Sequence, residues 1–395
     1  MIMVWKISNY NAYFSRFISK SPILSKNKIV NTPHINFSRV DSAKFFRTLN
    51  KRVNSYFKEN EISRNGNWKL HLKSVVMFSL YLAPYFLLLS LDFPWWAQLL
   101  MAVIMGVGMA GVGMNVMHDA NHGAYSSKKW INKIMGSSMY ILAGNVYNWQ
   151  VQHNVLHHTY TNIHGHDEDI EQSIMRFSPD QERKPFFKYQ MFYAPFLYGL
   201  MTIYWALYKD VDQLLRYQKL GLLKSQGLSS RKAWYQMIVG KIVYVLLVVV
   251  LPLTLGGLLW WQWLIGFVCM HFLAGLILAL IFQPAHVLEE TEFYEPTEGS
   301  VDNNWAIHQM RTTANFANRS KWFSWLIGGL NFQIEHHLFP HICHVHYREI
   351  SGIVKETAQK HNIPYNEHKT FGHALKSHFS LLSALGTGEY DQAIA

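Results

Sequence analysis

Four stretches of the chain are apolar over a length that can cross a lipid bilayer. They are Val75–Leu91, Trp95–Met117, Ile242–Leu259 and Trp260–Gln283. A membrane-spanning helix needs about 20 mainly apolar residues, and each stretch approaches that length. Asp92 and Pro94 separate the first two stretches, and the last two meet near Pro252 and the Gly256-Gly257 pair. The pattern therefore predicts four transmembrane helices arranged as two hairpins.

Two further apolar stretches, Ile131–Asn145 and Phe192–Leu207, are short or interrupted by polar residues. A crossing by either one alone would move later segments to the opposite side of the membrane, so we interpret both as interfacial or re-entrant helices. From Phe45 to Phe57, apolar residues recur at helical spacing with basic residues between them. This pattern favours an amphipathic helix on the membrane surface, with an ordinary soluble helix as the alternative.

The two ends of the chain carry weaker patterns. Residues 1–38 mix Lys, Arg, Ser and Asn with isolated apolar residues, which predicts a poorly ordered segment and not a signal peptide. Residues 39–375 are the predicted membrane domain with its cytosolic cap, and residues 376–395 are a predicted C-terminal tail.

The charge distribution orients the predicted helices. The chain has 36 Lys and Arg against 25 Asp and Glu, a net charge of +11, and no basic residue lies in either hairpin turn. Cytoplasmic segments of membrane proteins are enriched in Lys and Arg, which predicts that both termini and both long polar segments are cytoplasmic. Without a nucleic-acid-binding motif, the basic excess indicates anionic lipid and not nucleic acid. The 2 Cys residues exclude a disulfide framework and a CxxC metal site.

Three short polar segments, here named histidine boxes, place candidate metal ligands at helical spacing. They are His118 and His122 in box one, His153, His157 and His158 in box two, and Gln333, His336 and His337 in box three. Residues four apart share one face of a helix, so the pairs His118/His122 and His153/His157 are each predicted to bind one ion. Box three offers the same geometry at spacings of three and four. His286 follows the fourth apolar stretch and adds an eighth imidazole.

With four spans, all three boxes and His286 lie at the cytoplasmic face and can converge. Imidazole binds iron, zinc, copper and nickel, and two octahedral ions need about eight to twelve ligand positions. The set therefore predicts a two-metal centre, in which Gln333 binds a metal through its carbonyl or holds a bound water. The sequence thus predicts an all-α integral membrane protein whose cytosolic helical cap holds a metal pair.

Carboxylates near the boxes are expected to accept hydrogen bonds from the outer nitrogens of the ligating rings. The candidates are Asp119, Asp167, Glu168, Asp169 and Glu335. A different set of histidines is interpreted as structural, although His341 and His346 lie near enough to box three to serve as ligands. The structural set is His164, His166, His308, His344 and His346, with His271 as a buried hydrogen-bonding residue in the fourth span.

The predicted position of the metal pair at the membrane surface indicates an enzyme that oxidises a lipid. Only a strong oxidant attacks an unactivated C–H bond, and a metal pair that reduces dioxygen with two external electrons can supply one. An acyl chain can enter between the spans while its polar head stays in the cytosol. Apolar walls there also exclude water, which protects a reactive oxidant.

At the boxes the chain resembles the membrane fatty-acid desaturase family, which carries three motifs of the HxxxH, HxxxHH and QxxHH kinds. The flanking segments His157-His-Thr-Tyr-Thr-Asn162, Gln309–Phe316 and Gln333–Pro340 are similar too, and the likeness covers roughly residues 40–375. The glutamine that opens box three resembles the front-end subgroup. The resemblance implies two iron ions, dioxygen as co-substrate and an acyl-CoA or acyl-lipid substrate. It also implies that His286 is the family's additional histidine.

The chain departs from many front-end members because neither end shows the His-Pro-Gly-Gly haem motif of a fused cytochrome b5 domain. We therefore expect a separate electron donor, a ferredoxin or a cytochrome b5, that is attracted to the basic face. The missing motif and the Gly165–Asp169 insertion are more typical of bacteria, which predicts an inner-membrane location. Possible contacts for a lipid head group are Arg176, Arg183, Lys184 and Lys188.

Two alternatives stay open at the level of sequence. A fatty-acyl hydroxylase would use the same oxidant and differ only in the fate of the carbon radical. A histidine-rich metal transporter would place its ligands near mid-membrane, where this chain has almost no ionisable residue apart from His271.

Overall fold

Four long apolar helices dominate the structure, a computed structural model that describes residues 35–38, 44–225, 227–296 and 299–394. We name them spans one to four: Trp68–Ser90, Trp95–Asn121, Ser230–Thr254 and Trp260–Ala285. This confirms the predicted four spans. Span one begins before the predicted Val75 because the Asn67 side chain accepts a hydrogen bond from the backbone of Lys69 and caps the helix there. Span three likewise begins early, after the capping residue Ser229.

Span two lies between spans one and four and packs closely against both. A Cβ atom on Gly108 would lie 2.4 Å from the backbone nitrogen of Tyr81 in span one. A Cβ atom on Gly106 would lie 2.7 Å from the carbonyl oxygen of Met270 in span four. Small residues allow such close approach of helices in a membrane. The outward faces of the spans expose many large apolar side chains, including Trp95, as expected for contact with lipid.

The remaining helices form a cap at one end of the spans, except that Gln190–Gly199 and Met201–Tyr204 pack alongside the middle of span four. All the remaining helices are Phe45–Glu59, Lys129–Gly136, Ser137–Leu142, Val146–Trp149, Gln150–His157, His158–Tyr160, Pro185–Tyr189, Gln190–Gly199, Met201–Tyr204, Trp205–Lys209, Asp210–Lys219, Leu222–Ser225, Trp305–Thr312, Lys321–Leu326, Gln333–Leu338, His344–His346, Tyr347–Lys360, Phe371–Thr387 and Glu389–Ile394. Neither of the two shorter apolar stretches contains a helix long enough to cross a membrane.

Two small parallel sheets link distant parts of the cap. Strand β1 (Asn36–Phe37) pairs with β2 (Ser300–Val301), and β3 (Ala314–Phe316) pairs with β4 (Asn366–His368). Strand β1 falls within the segment 1–38 that was predicted to be poorly ordered. Residues 1–34 of that segment lie outside the described residues.

The helix Phe45–Glu59 forms as predicted, but its predicted position on the membrane is wrong. Its apolar stripe, formed by Phe45, Leu49, Val53 and Phe57, is buried against the helix Tyr347–Lys360 and the end of box three. Arg52 on the same helix pairs with Glu356 at 2.7 Å. The soluble-helix alternative holds because the cap offers the stripe an apolar protein surface.

The segment 376–395, predicted as a tail, belongs to the packed cap. The helix Phe371–Thr387 crosses the expected boundary and buries Leu381, Leu382 and Leu385. Arg176 is buried and donates two hydrogen bonds to the carboxylate of Asp391, at 2.8 and 2.9 Å. The C-terminal helices are therefore fastened to the segment that follows box two.

Candidate metal centre

The helices that carry boxes one and two widen from α to π geometry next to the histidines. Span two is a π-helix over Gly113–Met117, directly before His118. In box two, His153 and His157 lie within the π-helical segment Gln150–His157, and His158 follows it directly. Such turns are rare and occur frequently at functional sites. Both lie directly beside the histidines of boxes one and two.

The first group of converging rings, here cluster one, consists of His118, His122, His153 and His336. Box one supplies two members, as its spacing predicted, and boxes two and three supply one each. The Nε2 atoms of His118 and His153 are 3.2 Å apart, and the ring centroids of His118 and His336 are 4.5 Å apart. Apart from His122, which is partly exposed, these side chains are buried.

The second group, here cluster two, consists of His157, His286 and His337. The three ring centroids lie 4.6 to 5.0 Å from one another. His153 and His157 join different clusters, but the structure also brings together this pair that helical spacing predicted. Their rings stack with centroids 5.4 Å apart, and both approach Asp169.

His158 lies between the two clusters. Its Nε2 atom is 2.9 Å from Nε2 of His336 and 3.2 Å from Nε2 of His153, both in cluster one. Its ring stacks on that of His337 in cluster two, with centroids 4.4 Å apart. Gln333 is buried at the start of the box-three helix, and its Nε2 atom has no partner among the described residues.

The nitrogen atoms fit the binding of metal ions. Two nitrogens bound at right angles to one ion, each at about 2.1 Å, lie about 3.0 Å apart. The inward Nε2 atoms of His158, His336 and His153 have this spacing. The buried Nε2 atoms of His122, His286 and His337 have no hydrogen-bond partner within the described part of the chain. Buried polar atoms are rarely left without a partner, so these lone pairs are suited to an ion.

The rings of cluster two have their outer nitrogens in hydrogen bonds. Nδ1 of His157 is 3.1 Å from both carboxylate oxygens of Asp167, and Nδ1 of His337 is 2.8 Å from Oε1 of Gln309. Nδ1 of His286 is 3.2 Å from the carbonyl oxygen of Thr312. Each of these oxygens accepts a hydrogen bond, so the ring carries its proton on Nδ1. The Nε2 lone pair is then free for a metal.

Three of the five expected carboxylates contact a box histidine. Asp167 and Asp169 lie 3.1 and 3.4 Å from Nδ1 of His157. Asp119 lies 3.7 Å from Nδ1 of His118 in box one. The other two carboxylates hold the scaffold instead.

Glu168 accepts hydrogen bonds from Gln213, Arg216 and Tyr217, and Glu335 accepts them from Asn315 and Tyr365. They point away from the rings because neighbouring carboxylates in a turn or short helix face different sides.

The electrostatics keep most of the rings in the neutral form that binds metals. Burial, followed by the neighbouring histidines, holds the pKa values of His153, His158, His336 and His337 well below their ordinary value. Burial likewise lowers the pKa of His286 to about 3. A neutral imidazole offers its lone pair without first releasing a proton.

His157 differs from these five rings. Burial lowers its pKa, but the carboxylates of Asp167 and Asp169 outweigh burial and raise the pKa to about 9. A carboxylate at Nδ1 also makes the other ring nitrogen a stronger donor to a metal.

A cavity connects the clusters with the apolar interior between spans two and four. His118, His153, His157 and His286 line it where it meets the clusters. Its apolar wall is formed by Met109, Met117, Leu142, Met201, Leu278 and Phe282. Trp149 stacks on the ring of His153, with centroids 4.5 Å apart, and lines the same cavity. The cavity thus joins apolar side chains of spans two and four to the histidines.

Most histidines interpreted as structural have a protein partner. His308 contacts the carbonyl oxygen of Thr161 at 2.7 Å, and His346 that of Asn65 at 3.1 Å. His164 lies 2.7 Å from Glu171. Buried His271 contacts Thr202 at 3.0 Å and Tyr244 at 2.5 Å. His344 is different, because it contacts Asp119 beside box one.

The four basic residues suggested for a lipid head group have contacts within the protein. Arg176 is buried in the pairing with Asp391, and Arg183 donates to the carbonyl oxygen of Thr387. Lys184 donates to the carbonyl oxygen of Ser173, and Lys188 lies 4.7 Å from the ring centroid of Tyr189. The assignment of Arg176 to a lipid is wrong, because its side chain is enclosed by protein.

Sequence reasoning missed several residues that hold the rings. Besides Gln309 and Thr312, Tyr347 contacts Nδ1 of His336 at 3.0 Å. The side chain of Asn162 donates to the carbonyl oxygen of His286 at 2.8 Å. Asn162, Gln309 and Thr312 lie in the segments flanking the boxes that resemble the desaturase family, so those segments were the available signal.

Four helices able to span a membrane and a buried set of converging imidazoles define the class: a helical integral membrane protein whose histidine clusters are suited to metal binding. The family model described as fatty acid desaturase matches residues 94–369, more than half of the chain. All three boxes and His286 fall within the match. The chain belongs to the fatty acid desaturase family and is an oxidoreductase.

Curated relatives carry desaturase names. The chain is 37% identical to the sn-1 linoleoyl-lipid 6-desaturase of Synechocystis sp., over 87% of this chain and 95% of the relative. It is 33% identical to the protein of the same name from Arthrospira platensis, over 89% and 95%. It is also 33% identical to the acyl-lipid (8-3)-desaturase of Physcomitrium patens, over 90% and 74%. These names favour a desaturase over the hydroxylase alternative.

Proposed function

We propose that the protein introduces a cis double bond into an acyl chain of an intact membrane lipid, as a front-end type desaturase. One CH2–CH2 unit, one O2, two electrons and two protons yield CH=CH and two molecules of water. The observation that carries this proposal is the convergence of eight histidines from three boxes and span four at one end of an apolar cavity. Metal transport is disfavoured because the histidines gather at one end of the spans and not near mid-membrane.

The proposed cofactor is a pair of iron ions, one at each cluster. The proposed ligands are His118, His122, His153 and His336 for one ion, His157, His286 and His337 for the other, with His158 between them and Gln333 at their edge. When bound, the iron pair supplies the dioxygen reduction and hydrogen abstraction that an unactivated methylene requires. The protein holds the rings neutral and oriented through Asp167, Gln309 and Thr312.

The cavity residues position the acyl chain. Met109 and Leu278 offer an apolar wall deep between the spans, and Phe282 and Trp149 narrow the cavity beside His153. An acyl chain bound there presents only a few of its carbon atoms to the clusters. Holding these carbons in a fixed position relative to the metal site favours reaction at them. The same apolar wall excludes water from the reacting carbons.

Acyl lipids are favoured over acyl-CoA because the relatives described above are named for acyl-lipid substrates. The proposed topology places both termini and the clusters on the cytoplasmic side, in a bacterial inner membrane, in agreement with the basic residues of the cap. A separate ferredoxin or cytochrome b5 would deliver the electrons, drawn to that basic surface.

The test is fatty-acid analysis by gas chromatography and mass spectrometry. A host poor in desaturases would produce the protein with a ferredoxin or cytochrome b5, receive linoleate, and be compared with a host that produces His157→Ala. We expect a product two mass units lighter than its precursor, located first in the lipid fraction and absent with the variant. Its fragmentation pattern would give the position of the new double bond.

A product heavier than its precursor by one oxygen atom would show that the protein is a hydroxylase and not a desaturase. Desaturated acyl-CoA that precedes any desaturated lipid would overturn the choice of an acyl-lipid substrate. Unchanged product from His157→Ala would remove His157 from the proposed ligands. The amount of each protein in the membrane fraction is the control, since the variant must be present in full for the comparison.

A further inference from the structure

A buried line of polar side chains runs from span one to box one, outside both clusters. Nζ of Lys73, a residue only 3% exposed, is 2.8 Å from Nε2 of His344. Nδ1 of His344 is 2.8 Å from Oδ2 of Asp119, whose Oδ1 is 3.7 Å from Nδ1 of His118. We name Lys73, His344 and Asp119 the supporting triad.

Lys73 sets the direction of every hydrogen bond in the supporting triad. An ammonium group only donates, so Nε2 of His344 accepts and its proton lies on Nδ1. Nδ1–H then donates to Asp119, and the backbone N–H of His344 donates to the same oxygen at 3.2 Å. Two donors from one residue keep the carboxylate beside box one.

We propose that the supporting triad is a positioning device for His118, and this inference rests on the proposed metal-binding function. The triad holds the carboxylate of Asp119 3.7 Å from Nδ1 of His118, a buried atom without a hydrogen-bond partner in the described part of the chain. The charge of that carboxylate favours the ring orientation in which Nε2 faces His153 in cluster one, 3.2 Å away. Carboxylates that are themselves held by hydrogen bonds commonly orient metal-binding histidines in this way. Lys73 and His344 are positioning residues, since they act through Asp119.

Packing alone gives no reason for a lysine at this position. A charged side chain buried in a membrane span is costly and usually has a specific role. Replacing buried ionic groups by apolar residues of similar volume is often neutral or stabilising. Lys73 is nevertheless enclosed, with its Nζ 5.5 Å from the ring centroid of Trp325. The geometry that Lys73 imposes on His344 accounts for this charge.

The test compares purified variants in detergent. Lys73→Met removes the donor at similar volume, and His344→Leu breaks the triad. His344→Gln keeps it, because an amide offers one acceptor to Lys73 and one donor to Asp119. Lys69→Met is the matched control, since Lys69 lies one turn earlier on span one and is exposed. The measurements are iron retained during timed exposure to a chelator, kcat and KM at equal iron content, and the melting temperature.

We expect Lys73→Met and His344→Leu to lose iron about tenfold faster or more, and to have a lower kcat with unchanged KM. His344→Gln and Lys69→Met should behave like the parent protein. Parent-like iron retention and kcat in both Lys73→Met and His344→Leu would overturn the inference. An equal defect in His344→Gln and His344→Leu would also overturn it. If Lys73→Met fails to fold, the comparison of the two His344 variants decides alone.

The iron content of the parent protein separates this inference from the proposed function. A parent that binds no iron under conditions that load other membrane iron proteins would refute the metal centre itself. A parent that binds iron, together with variants that hold it equally well, would refute only the role of the supporting triad.

Discussion

The two clusters are held by the protein in different ways. In cluster two, each ring has an acceptor at its outer nitrogen, provided by Asp167, Gln309 or the carbonyl oxygen of Thr312, at 2.8 to 3.2 Å. In cluster one, the nearest carboxylate to His118 lies 3.7 Å away and is held in place by His344. His122 is partly exposed. Each ring of cluster two therefore has a direct partner. In cluster one, His336 has a direct partner in Tyr347, whereas His118 depends on a more distant carboxylate.

The difference follows from the structural elements on which the histidines of each cluster lie. Cluster one takes two ligands from the end of a spanning helix, where the neighbouring surface is apolar and offers few acceptors. Cluster two is surrounded by polar segments that flank boxes two and three and supply Asp167 and Gln309 as acceptors. The comparison predicts that the two clusters respond differently to the loss of outer partners and alike to the loss of a ligand.

The largest expected effect is the loss of one ligand from either cluster. His336→Ala and His337→Ala change adjacent residues of one helix, but the first belongs to cluster one and the second to cluster two. Because each removes a direct ligand, we expect both to abolish product formation and to leave about half of the bound iron. Metal analysis of the purified proteins measures this. Full iron content in either variant would contradict the assignment of one ion to each cluster.

The next effect is the loss of a direct outer partner in cluster two. Gln309→Leu removes the acceptor of both His337 Nδ1–H and the Thr161 hydroxyl. We expect kcat to fall about 10- to 100-fold, because the ring is no longer held in one orientation. Gln309→Glu keeps an acceptor and is the control. Equal activity of the leucine and glutamate variants at equal iron content would show that the acceptor is unnecessary.

A smaller effect is expected from Tyr347→Phe in cluster one. The phenol of Tyr347 is a neutral partner of His336 Nδ1 at 3.0 Å, and both groups are buried. Loss of one neutral hydrogen bond costs about 1 kcal/mol, which corresponds to about fivefold in rate. Steady-state kinetics at matched iron content measure it. A loss as large as that of Gln309→Leu would remove the distinction between the clusters.

The smallest effect on activity is expected from Glu168→Gln. Glu168 is adjacent to Asp167, but its partners are Gln213, Arg216 and Tyr217 and no box histidine. The change should lower the melting temperature by a few degrees and alter kcat by less than about twofold, in line with the modest contribution of partly exposed ion pairs. A large loss of iron from this variant would show that ligand support extends through the whole loop.

The sequence determined the outline of the site but not its internal arrangement. Hydrophobic length predicted the four spans, and helical spacing singled out the boxes. Spacing placed His153 and His157 together, but it could not show which further histidines each one meets, because those partners come from other segments of the chain. Span one also begins earlier than hydropathy alone indicated, because the helix-capping residue Asn67 lies before the apolar stretch.

Outer partners were harder to predict because they lie far along the chain. Gln309 is 28 positions from His337, and Lys73 is 271 positions from His344. A lysine just before an apolar stretch is typical of a membrane boundary, and only the fold reveals that it is enclosed. Position next to a ligand in the sequence was also a poor guide to contact. Glu335 directly precedes two box histidines, but its carboxylate accepts hydrogen bonds from Asn315 and Tyr365.

The π-helical turns before His118 and through box two give the chain a strict length requirement there. Each extra residue in a turn rotates everything that follows it, so deleting one residue between Gly113 and Met117 would swing His118 and His122 away from the cavity while leaving the composition nearly intact. An insertion in the exposed turn at Asp92 would leave that rotation unchanged. Where residues are gained or lost therefore matters more in these two turns than which apolar residue fills them.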